Sequence, residues 1–492
     1  MRSARFVLLF VLTLAAVTAF GQSRIRTRYL PQEAPDSVDL EYYGKPKFWQ
    51  ATALVGGLNV GTWAWDRYVQ KAPYTHLSYK SVKRNLTTGF IWDNDFLSTN
   101  MFLHPYHGNL YFNSARASGF NYWQSGLFAF AGSAMWETVM ETEYPSTNDI
   151  IATPIGGMAI GEVAFRTSDL ILNDRTVGWE RFGREAGAFI VSPMRGLVRI
   201  INGDAWRRRA TTGRQFGLPP IIVEVSLGAR GICYKGVPDF PVGMAAEINV
   251  TYGKRFVESS NTPFDYFTFR AHLNAISNQP VLSQMNIIGR LMSREVLESK
   301  SHHLSVGAYQ HFDFYDSDTI SKAYGKTPYK LGTPASAGVG IFYRGDESKP
   351  WVLDAHMHAN AVLLGGILTD HYFFKDRSYN MASGFAIKSG VNVNYGVDKF
   401  SASVDFDIYR LFTWGYSRGT DLRKVNYRTL DAMGDDSAAT FAMTDLRLDY
   451  GLSRHLLLTA GFTHYYRSTH YRDFENVKAT AYSVRLLLTY KF

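Results

Sequence analysis

The hydrophobic pattern of the chain changes near residue 219. From there to residue 492, apolar and polar positions alternate with a period of two in stretches of about ten residues, the length that a tilted strand needs to cross a bilayer. Twelve such stretches are predicted as strands, from IIVEVSLGA (221–229) to AYSVRLLLTYKF (481–492). The pattern predicts an antiparallel transmembrane β-barrel of about twelve strands, with ten or fourteen as alternatives.

The last predicted strand shows the alternation most clearly. One face carries Tyr482, Val484, Leu486, Leu488, Tyr490 and Phe492, and the other carries Ser483, Arg485, Leu487, Thr489 and Lys491. The terminal aromatic residue resembles the signal that barrel-assembly machinery reads in outer-membrane proteins. We therefore expect that machinery and outer-membrane lipid as partners.

The lengths of the predicted connections give an orientation. RGDESKP, GVDK and GLSR are short, whereas 314–332, 365–379 and 413–436 are long. Outer-membrane barrels have short periplasmic turns and long outer loops, so an even strand count leaves both barrel ends on the periplasmic side. The short SNQP segment (277–280) lies where this rule predicts a long loop, so the division of the first part of the barrel into four strands stays open.

The first half of the chain has a different pattern. Residues 22–48 are polar and contain proline, which predicts an extended lead-in, and residues 49–208 have apolar faces without strand alternation, which predicts a helical domain. Glycines four residues apart, such as Gly57 with Gly61 and Gly157 with Gly161, predict close helix packing. The expected fold is an α+β membrane protein with this helical domain in the periplasm or inside the barrel.

The N-terminal targeting signal and the composition indicate where in the cell the protein is located. Met1, Arg2 and Arg5 precede a short apolar run ending at AFG (19–21), which predicts a secretory signal peptide over 1–21 and a mature start at Gln22. The aromatic content of 15% and the absence of a long apolar span after residue 21 favour an outer-membrane barrel of a Gram-negative bacterium. The lone Cys233 excludes an internal disulfide and a cysteine zinc cluster, and no motif points to nucleic acid.

Polar residues of the helical region offer two interpretations. An acid–base or metal interpretation gathers His104, His107, Glu137, Glu141 and Glu162. A buried hydrogen-bond network, which we favour, uses Arg116, Ser133, Glu137, Glu141, Asn148, Asp149 and Arg166. In that network Arg116 pairs with Glu137 or Glu141. Two helix starts are also predicted: Pro105 starts the helix of HPYHGNLYFNSARASG, and Asn148 or Asp149 of PSTND caps the next helix.

The predicted barrel carries a second polar set. Alternation directs Asp354, His356, His358, Asp405, Asp407, Asp445, Arg447, Asp449 and Arg485 into the lumen. Two histidines beside a carboxylate permit a metal interpretation, but a solvated lumen lined by charge pairs is the simpler one. The sequence therefore assigns neither a metal nor a cofactor.

A resemblance rests on short motifs in a fixed order. They are WDNDF (92–96), Asn100, HPYHG (104–108), Tyr111, Ala115 and Arg116, WQS (123–125), GSAMWE (132–137), Glu141, PSTND (145–149), TP (153–154), GG (156–157) and GE (161–162). Over about 60–170 the chain resembles outer-membrane proteins of Bacteroidota that carry domain of unknown function 3943. The resemblance implies an envelope location and no particular activity.

Three classes of function stay open. The first is a channel or envelope-interaction protein, and it is the one we favour, without enzymatic activity. The second is a membrane-embedded hydrolase or transferase acting on lipid or lipopolysaccharide, which needs a nucleophile beside His104 or His107. The third is a structural or assembly protein without catalysis. The pattern leaves the substrate and the oligomeric state open.

Overall fold

The computed structural model describes residues 45–299, 301–321, 324–396, 399–415 and 431–492. The expected signal peptide, most of the lead-in and much of the 413–436 connection lie outside this part. Within it, seven α-helices come first: α1 (Phe48–Trp65), α2 (Tyr79–Thr87), α3 (His104–Arg116), α4 (Tyr122–Met135), α5 (Thr147–Ile171), α6 (Gly178–Val191) and α7 (Pro193–Ile201). Together with the segments between them, they are called the helical layer below.

Twelve long antiparallel strands follow in the described part: β1 (Ile221–Tyr234), β2 (Val242–Tyr252), β3 (Phe267–Ala275), β4 (Leu282–Glu298), β5 (His303–Asp316), β6 (Lys330–Arg344), β7 (Trp351–Leu368), β8 (Tyr379–Tyr395), β9 (Phe400–Phe412), β10 (Ser437–Gly451), β11 (Leu456–Tyr471) and β12 (Val477–Lys491). Each strand pairs with its neighbours in sequence, and β1 also pairs with β12. A two-residue strand, Ser259–Ser260, adds to β4. The sheet is therefore a closed barrel, which confirms the predicted fold class and strand number.

The barrel has two unlike rims. One rim, called the turn end, carries the short connections 299–302, 345–350, 396–399 and 452–455; the other, called the loop end, carries 317–329, 369–378 and 413–436. The connection 276–281 is a short one at the loop end, so the unexpected SNQP segment reflects a short loop and not a missing strand. The chain enters β1 and leaves β12 at the turn end.

Side chains of the strands alternate between lumen and outer wall. On β12, Leu486 and Leu488 are exposed, whereas Leu487 and Thr489 are buried at 1% and 0% exposure. Arg485 points to the same side as Leu487 and pairs with Glu247 of β2 and Asp445 of β10, both at 2.7 Å. The period of two thus separates an apolar exterior from a polar interior.

The helical layer lies against the outer wall. Met101 fills the space over Gly332 and Gly366, and a Cβ on Gly366 would lie 3.1 Å from its Cε atom. Gly332 pairs with Phe314, whose ring centroid lies 5.5 Å from that of Phe102. Phe314 is outward-facing because the next residue, Tyr315, points into the lumen and donates to Asp407 of β9 at 3.0 Å.

A polar contact with the wall gives the same placement. The hydroxyl of Tyr122 donates to the side-chain carbonyl of Gln310, and Gln310 Nε2 donates to the carbonyl oxygen of Ile155 at 2.8 Å. Gln310 pairs with Ala337, which is exposed on the outside of β6. The described helices therefore pack beside the barrel, and lumen insertion was the wrong expectation. None of these helices combines the length and the apolarity that crossing a membrane requires.

Glycine controls how closely α3 approaches α5. A Cβ on Gly108 would overlap the carbonyl oxygen of Thr153, and a Cβ on Gly157 would overlap the backbone at Gly108. The two helices thus touch through backbone atoms, as expected for Gly157. Gly57 and Gly61 differ, because their Cα atoms face open space with no heavy atom within 4 Å of an added Cβ. The packing expectation was wrong for that pair.

Candidate functional site

Three potential ligand groups from three segments converge at the loop-end side of the helical layer. Asp93 precedes α3, His104 begins it, and Asp149 lies in the first turn of α5. Ligand atoms of these three residues lie within 4.8 Å of one another, and His104 Nε2 is 3.6 Å from Asp149 Oδ2. We call these three residues the Asp–His–Asp cluster. Asp149 was expected in a structural network and His104 at a site, whereas Asp93 was missed.

Local structure fixes each member of the Asp–His–Asp cluster. Ser146 caps α5, because its hydroxyl accepts the backbone N–H of Asp149 at 3.2 Å. The expected caps Asn148 and Asp149 were therefore wrong, since both lie within the first helical turn. Asn148 instead joins two segments: its Oδ1 accepts from the N–H of Asp93 at 3.1 Å and its Nδ2 donates to Asp149 at 2.9 Å.

A π-helical turn, Thr99–Leu103, leads directly into α3. Pro105 therefore lies in the first turn of α3, but the chain is already wound before it, and the expectation that Pro105 starts the helix was only partly correct. Within that turn Asn100 is fully buried, and its Nδ2 donates to Asp93 and, at 2.7 Å, to the Tyr379 hydroxyl.

Glu137 and Glu141 lie beside the cluster without an arginine. Glu137 Oε2 accepts the N–H of Ser146 at 2.7 Å, and in the described part neither glutamate forms a salt bridge with lysine or arginine. The expected pairing with Arg116 is wrong for a physical reason. The helix continues as a π-helical turn, Trp136–Met140, and Glu141 is already extended, so the four-residue stripe breaks before it reaches Glu141.

Arg116 instead pairs with Glu162, together with Arg166. Glu162 is fully buried and accepts from Arg116 Nε at 2.8 Å, from Arg116 Nη2 at 3.0 Å and from Arg166 Nε at 2.8 Å. Arg166 also donates to the carbonyl oxygen of Pro263 at 2.8 Å. The residues expected to form one group thus divide in two, and Glu162 belongs to the ion triad and not to the cluster.

Burial sets the electrostatics of the cluster. It raises the pKa of Asp93 to about 7, with a further rise from Asp149, and it raises the pKa of Asp149 well above its ordinary range, with a further rise from Glu137. Burial lowers the pKa of His104, although Asp93 and Asp95 oppose this effect.

His107 lies one turn beyond His104 but outside the cluster. Its ring stacks on Tyr111 with centroids 4.7 Å apart and meets Trp136 edge-on at 5.8 Å. Burial lowers its pKa to about 4. Among the described residues, neither His104 Nε2 nor His107 Nε2 has a hydrogen-bond partner, so neither of these atoms activates a hydroxyl nucleophile.

Loops of the barrel complete the surroundings. Arg377 Nη1 donates to the carbonyl oxygen of Asp93 at 2.7 Å, and the N–H of Trp92 donates to Asp431 at 3.3 Å. Tyr379 is the first residue of β8, at the loop end, and its hydroxyl accepts a hydrogen bond from Asn100 Nδ2. The sequence does not predict these contacts, because positions about 280 or more residues apart leave no local pattern.

The lumen residues lie mostly in ion pairs. Asp354 pairs with Arg344 at 2.7 Å and Arg255 at 3.1 Å. Further pairs and contacts are Asp405 with Arg270, Asp407 with Lys388, Asp445 with Arg485, Arg447 with Asp449, and the ring of His356 with that of His358. The carboxylate of Asp354 is thus engaged by arginines, which disfavours a metal shared with the two histidines.

The lumen contains a chamber that is closed on one side. A cavity of about 1060 Å³ has charged walls that include Arg270, Lys388 and Asp405 and reaches turn-end residues such as Gly396. Beyond it lies an aromatic layer formed by Tyr315, Tyr329, Tyr409, Phe441 and Tyr465. Its members are at most 2% exposed, and the rings of Tyr329 and Tyr465 stack with centroids 4.1 Å apart. The chamber is therefore sealed from the loop end.

A family model for a domain of unknown function, DUF3943, matches residues 89–194, which include the cluster and the Glu162 triad. Solved structures similar to the barrel include a NanC porin (12% identity, 54% of this chain and 100% of that one, TM-score 0.27) and a KdgM porin (7% identity, 54% and 99%, TM-score 0.22). Another is the outer membrane channel DcaP of Acinetobacter baumannii (10% identity, 56% and 96%, TM-score 0.23). No curated protein matches the chain.

Proposed function

We propose that the protein is an outer-membrane channel in a closed state, with a charged chamber open to the periplasm and an aromatic layer that bars the outer side. The observation that carries this proposal is the chamber itself, a cavity of about 1060 Å³ with paired charges that ends at buried tyrosines. A protein with a purely structural barrel has no need of such a space. Solute passage requires the aromatic layer to move.

The exposed surface supports a bilayer environment. Leu486, Leu488 and Val391 are exposed on the barrel wall, as expected for a lipid-facing band. The helical layer also exposes apolar side chains. Outward-facing apolar side chains of α1 and α4 are Trp49, Val60, Trp65, Trp123, Leu127 and Phe130. Outer-membrane lipid is the partner that matches this surface.

Two experiments test the location and orientation. The protein is expected to fractionate with outer membranes and to migrate differently on gels before and after heating, as folded barrels do. A tag inserted in the 413–436 connection is expected to be accessible on intact cells, whereas a tag at 396–399 is not. Recovery as a free periplasmic protein contradicts the location, and the reversed accessibility contradicts the orientation.

Conductance in planar bilayers tests the closed state. The wild-type protein is expected to be silent or to open rarely, because the aromatic layer fills the lumen. The double variant Tyr329→Ala/Tyr465→Ala removes the stacked pair and is expected to conduct steadily. Tyr450→Ala is the matched control, since Tyr450 is 60% exposed on the outer face of β10.

The outcomes separate the classes of function. Steady conductance by the wild-type protein contradicts a sealed lumen. Silence of a correctly folded double variant favours a structural or assembly protein over a channel. The hydrolase alternative has weaker support, because no hydroxyl is bound to the buried Nε2 atom of either helical histidine in the described chain.

A further inference from the structure

We propose that Asp93, His104 and Asp149 bind a divalent transition-metal ion of the zinc type at the loop-end side of the helical layer. The proposal is independent of the channel, because the cluster lies outside the lumen. It rests on ligand geometry, on uncompensated charge and on buried polar atoms without partners.

The geometry suits a small ion. Zinc lies about 2.0–2.2 Å from histidine nitrogen and carboxylate oxygen, so two ligands in a tetrahedral arrangement are roughly 3.4 Å apart. His104 Nε2 and Asp149 Oδ2 are 3.6 Å apart, and all three ligand atoms lie within 4.8 Å of one another. A modest contraction about a central ion therefore brings all three into bonding range.

The charge of the cluster calls for a cation. Asp149 and Glu137 are 4% and 2% exposed, yet neither they nor Asp93 forms a salt bridge with lysine or arginine in the described part of the chain. Buried carboxylates in proteins are paired or coordinate metals. The same helical layer shows the paired alternative at Glu162, which binds two arginines. A divalent ion supplies the compensation that the cluster lacks.

Unsatisfied polar atoms point to the same place. His104 Nε2 is buried without a hydrogen-bond partner and faces Asp149. Asn100 is 0% exposed, and its Oδ1 also lacks a partner, although the Nδ2 of the same amide donates to Asp93. Such groups are rare in folded proteins and need an explanation. A metal bound to His104 Nε2 explains the first of these atoms, and Asn100 orients the ligand Asp93 through its Nδ2.

The donor set selects the class of ion. One imidazole with two carboxylates suits zinc or manganese, whereas magnesium and calcium prefer sites made only of oxygen ligands. Glu137 anchors the N–H of Ser146, the residue that caps α5, so it positions Asp149 from outside the cluster. Carboxylates in this outer position are common around bound metals.

The test measures zinc binding by the full chain, purified in detergent through a tag that contains no histidine. After chelation and dialysis, ZnCl₂ is added and bound zinc is measured by elemental analysis and calorimetry. We expect one zinc ion per chain. His104→Gln and Asp149→Asn are expected to weaken binding at least tenfold, while His107→Phe, which keeps the stacking on Tyr111, binds as the wild type does.

Folding of each variant is verified by heat-modifiable migration, and Asp93→Asn replaces any variant that fails to fold. X-ray absorption at the zinc edge is expected to show nitrogen and oxygen neighbours only. Absence of saturable zinc binding by the folded wild-type protein overturns the proposal. Equal affinity in the wild type and in the His104 and Asp149 variants also overturns it, because the zinc then binds elsewhere.

Discussion

The triad of Arg116, Glu162 and Arg166 makes the helical layer sensitive to the loss of one charge. In Glu162→Gln the side chain keeps its shape, but two guanidinium groups lose their shared carboxylate. Both are largely buried, with side-chain exposures of 11% for Arg116 and 3% for Arg166. Water therefore cannot replace the carboxylate, and the variant keeps two close like charges in a poorly solvated site.

The expected cost follows from these contacts. Removing one partner of a buried ion pair costs about 3–5 kcal/mol, because the other charge is stranded. Glu162 accepts three charged hydrogen bonds from two arginines, so the upper part of that range applies. A domain of this size loses roughly 2–4 °C of melting temperature per kcal/mol. The helical layer is therefore expected to melt roughly 8–20 °C earlier.

Tryptophan fluorescence in detergent is a suitable assay, because eight of the ten tryptophans precede residue 219. Heat-modifiable migration follows the barrel separately and is expected to change less. Glu347→Gln is the control, since the Glu347 side chain is 64% exposed in its pair with Arg344, and exposed pairs contribute only about 0–1 kcal/mol. Equal melting of Glu162→Gln and wild type refutes the stranded-charge argument.

Two further substitutions test the packing and the lumen. Gly108→Ala forces a Cβ into the carbonyl oxygen of Thr153 and is expected to separate α3 from α5, whereas in Gly57→Ala the added Cβ meets open space and is expected to stabilise α1 by up to about 1 kcal/mol. The melting temperatures of the two variants are compared by fluorescence, and equal shifts contradict the close packing of α3 on α5. Lys388→Met leaves Asp313 and Asp407 without their shared cation, since their carboxylates lie 2.5 and 3.5 Å from Lys388 Nζ. The variant is expected to lower barrel stability by about 3–5 kcal/mol. If the temperature at which the gel migration of the barrel changes is the same as in the wild type, that expectation is contradicted.

The strands were predictable because their pattern is local. The alternation of Arg485 and Leu486 predicts which side of the sheet each side chain occupies, and no distant residue changes that side. The position of the helical layer left no such pattern, since α1 and α4 carry apolar residues both on the faces that pack on other helices and on the faces that are exposed. Nothing in a segment such as FWQATALVGGLNVGTWAW shows which of its apolar residues pack on other helices and which are exposed.

The candidate site was predictable only in part. His104 drew attention through its residue type, and Glu162 was grouped with it by composition although the fold sends it to two arginines. Asp93 lies within WDNDF, a motif that carries the family resemblance and by itself indicates no chemistry. What joins Asp93 to Asp149 is the amide of Asn148, a contact between positions 55 residues apart that spacing rules do not contain.

The position of the helical layer on the outer wall has a consequence for biogenesis. The helices are synthesised before any strand, yet the surface that Met101 and Phe102 bury belongs to β5, β6 and β7. Until those strands pair, the apolar surface of the layer that they cover stays exposed. The helical layer can therefore take its final place only after β5, β6 and β7 have paired.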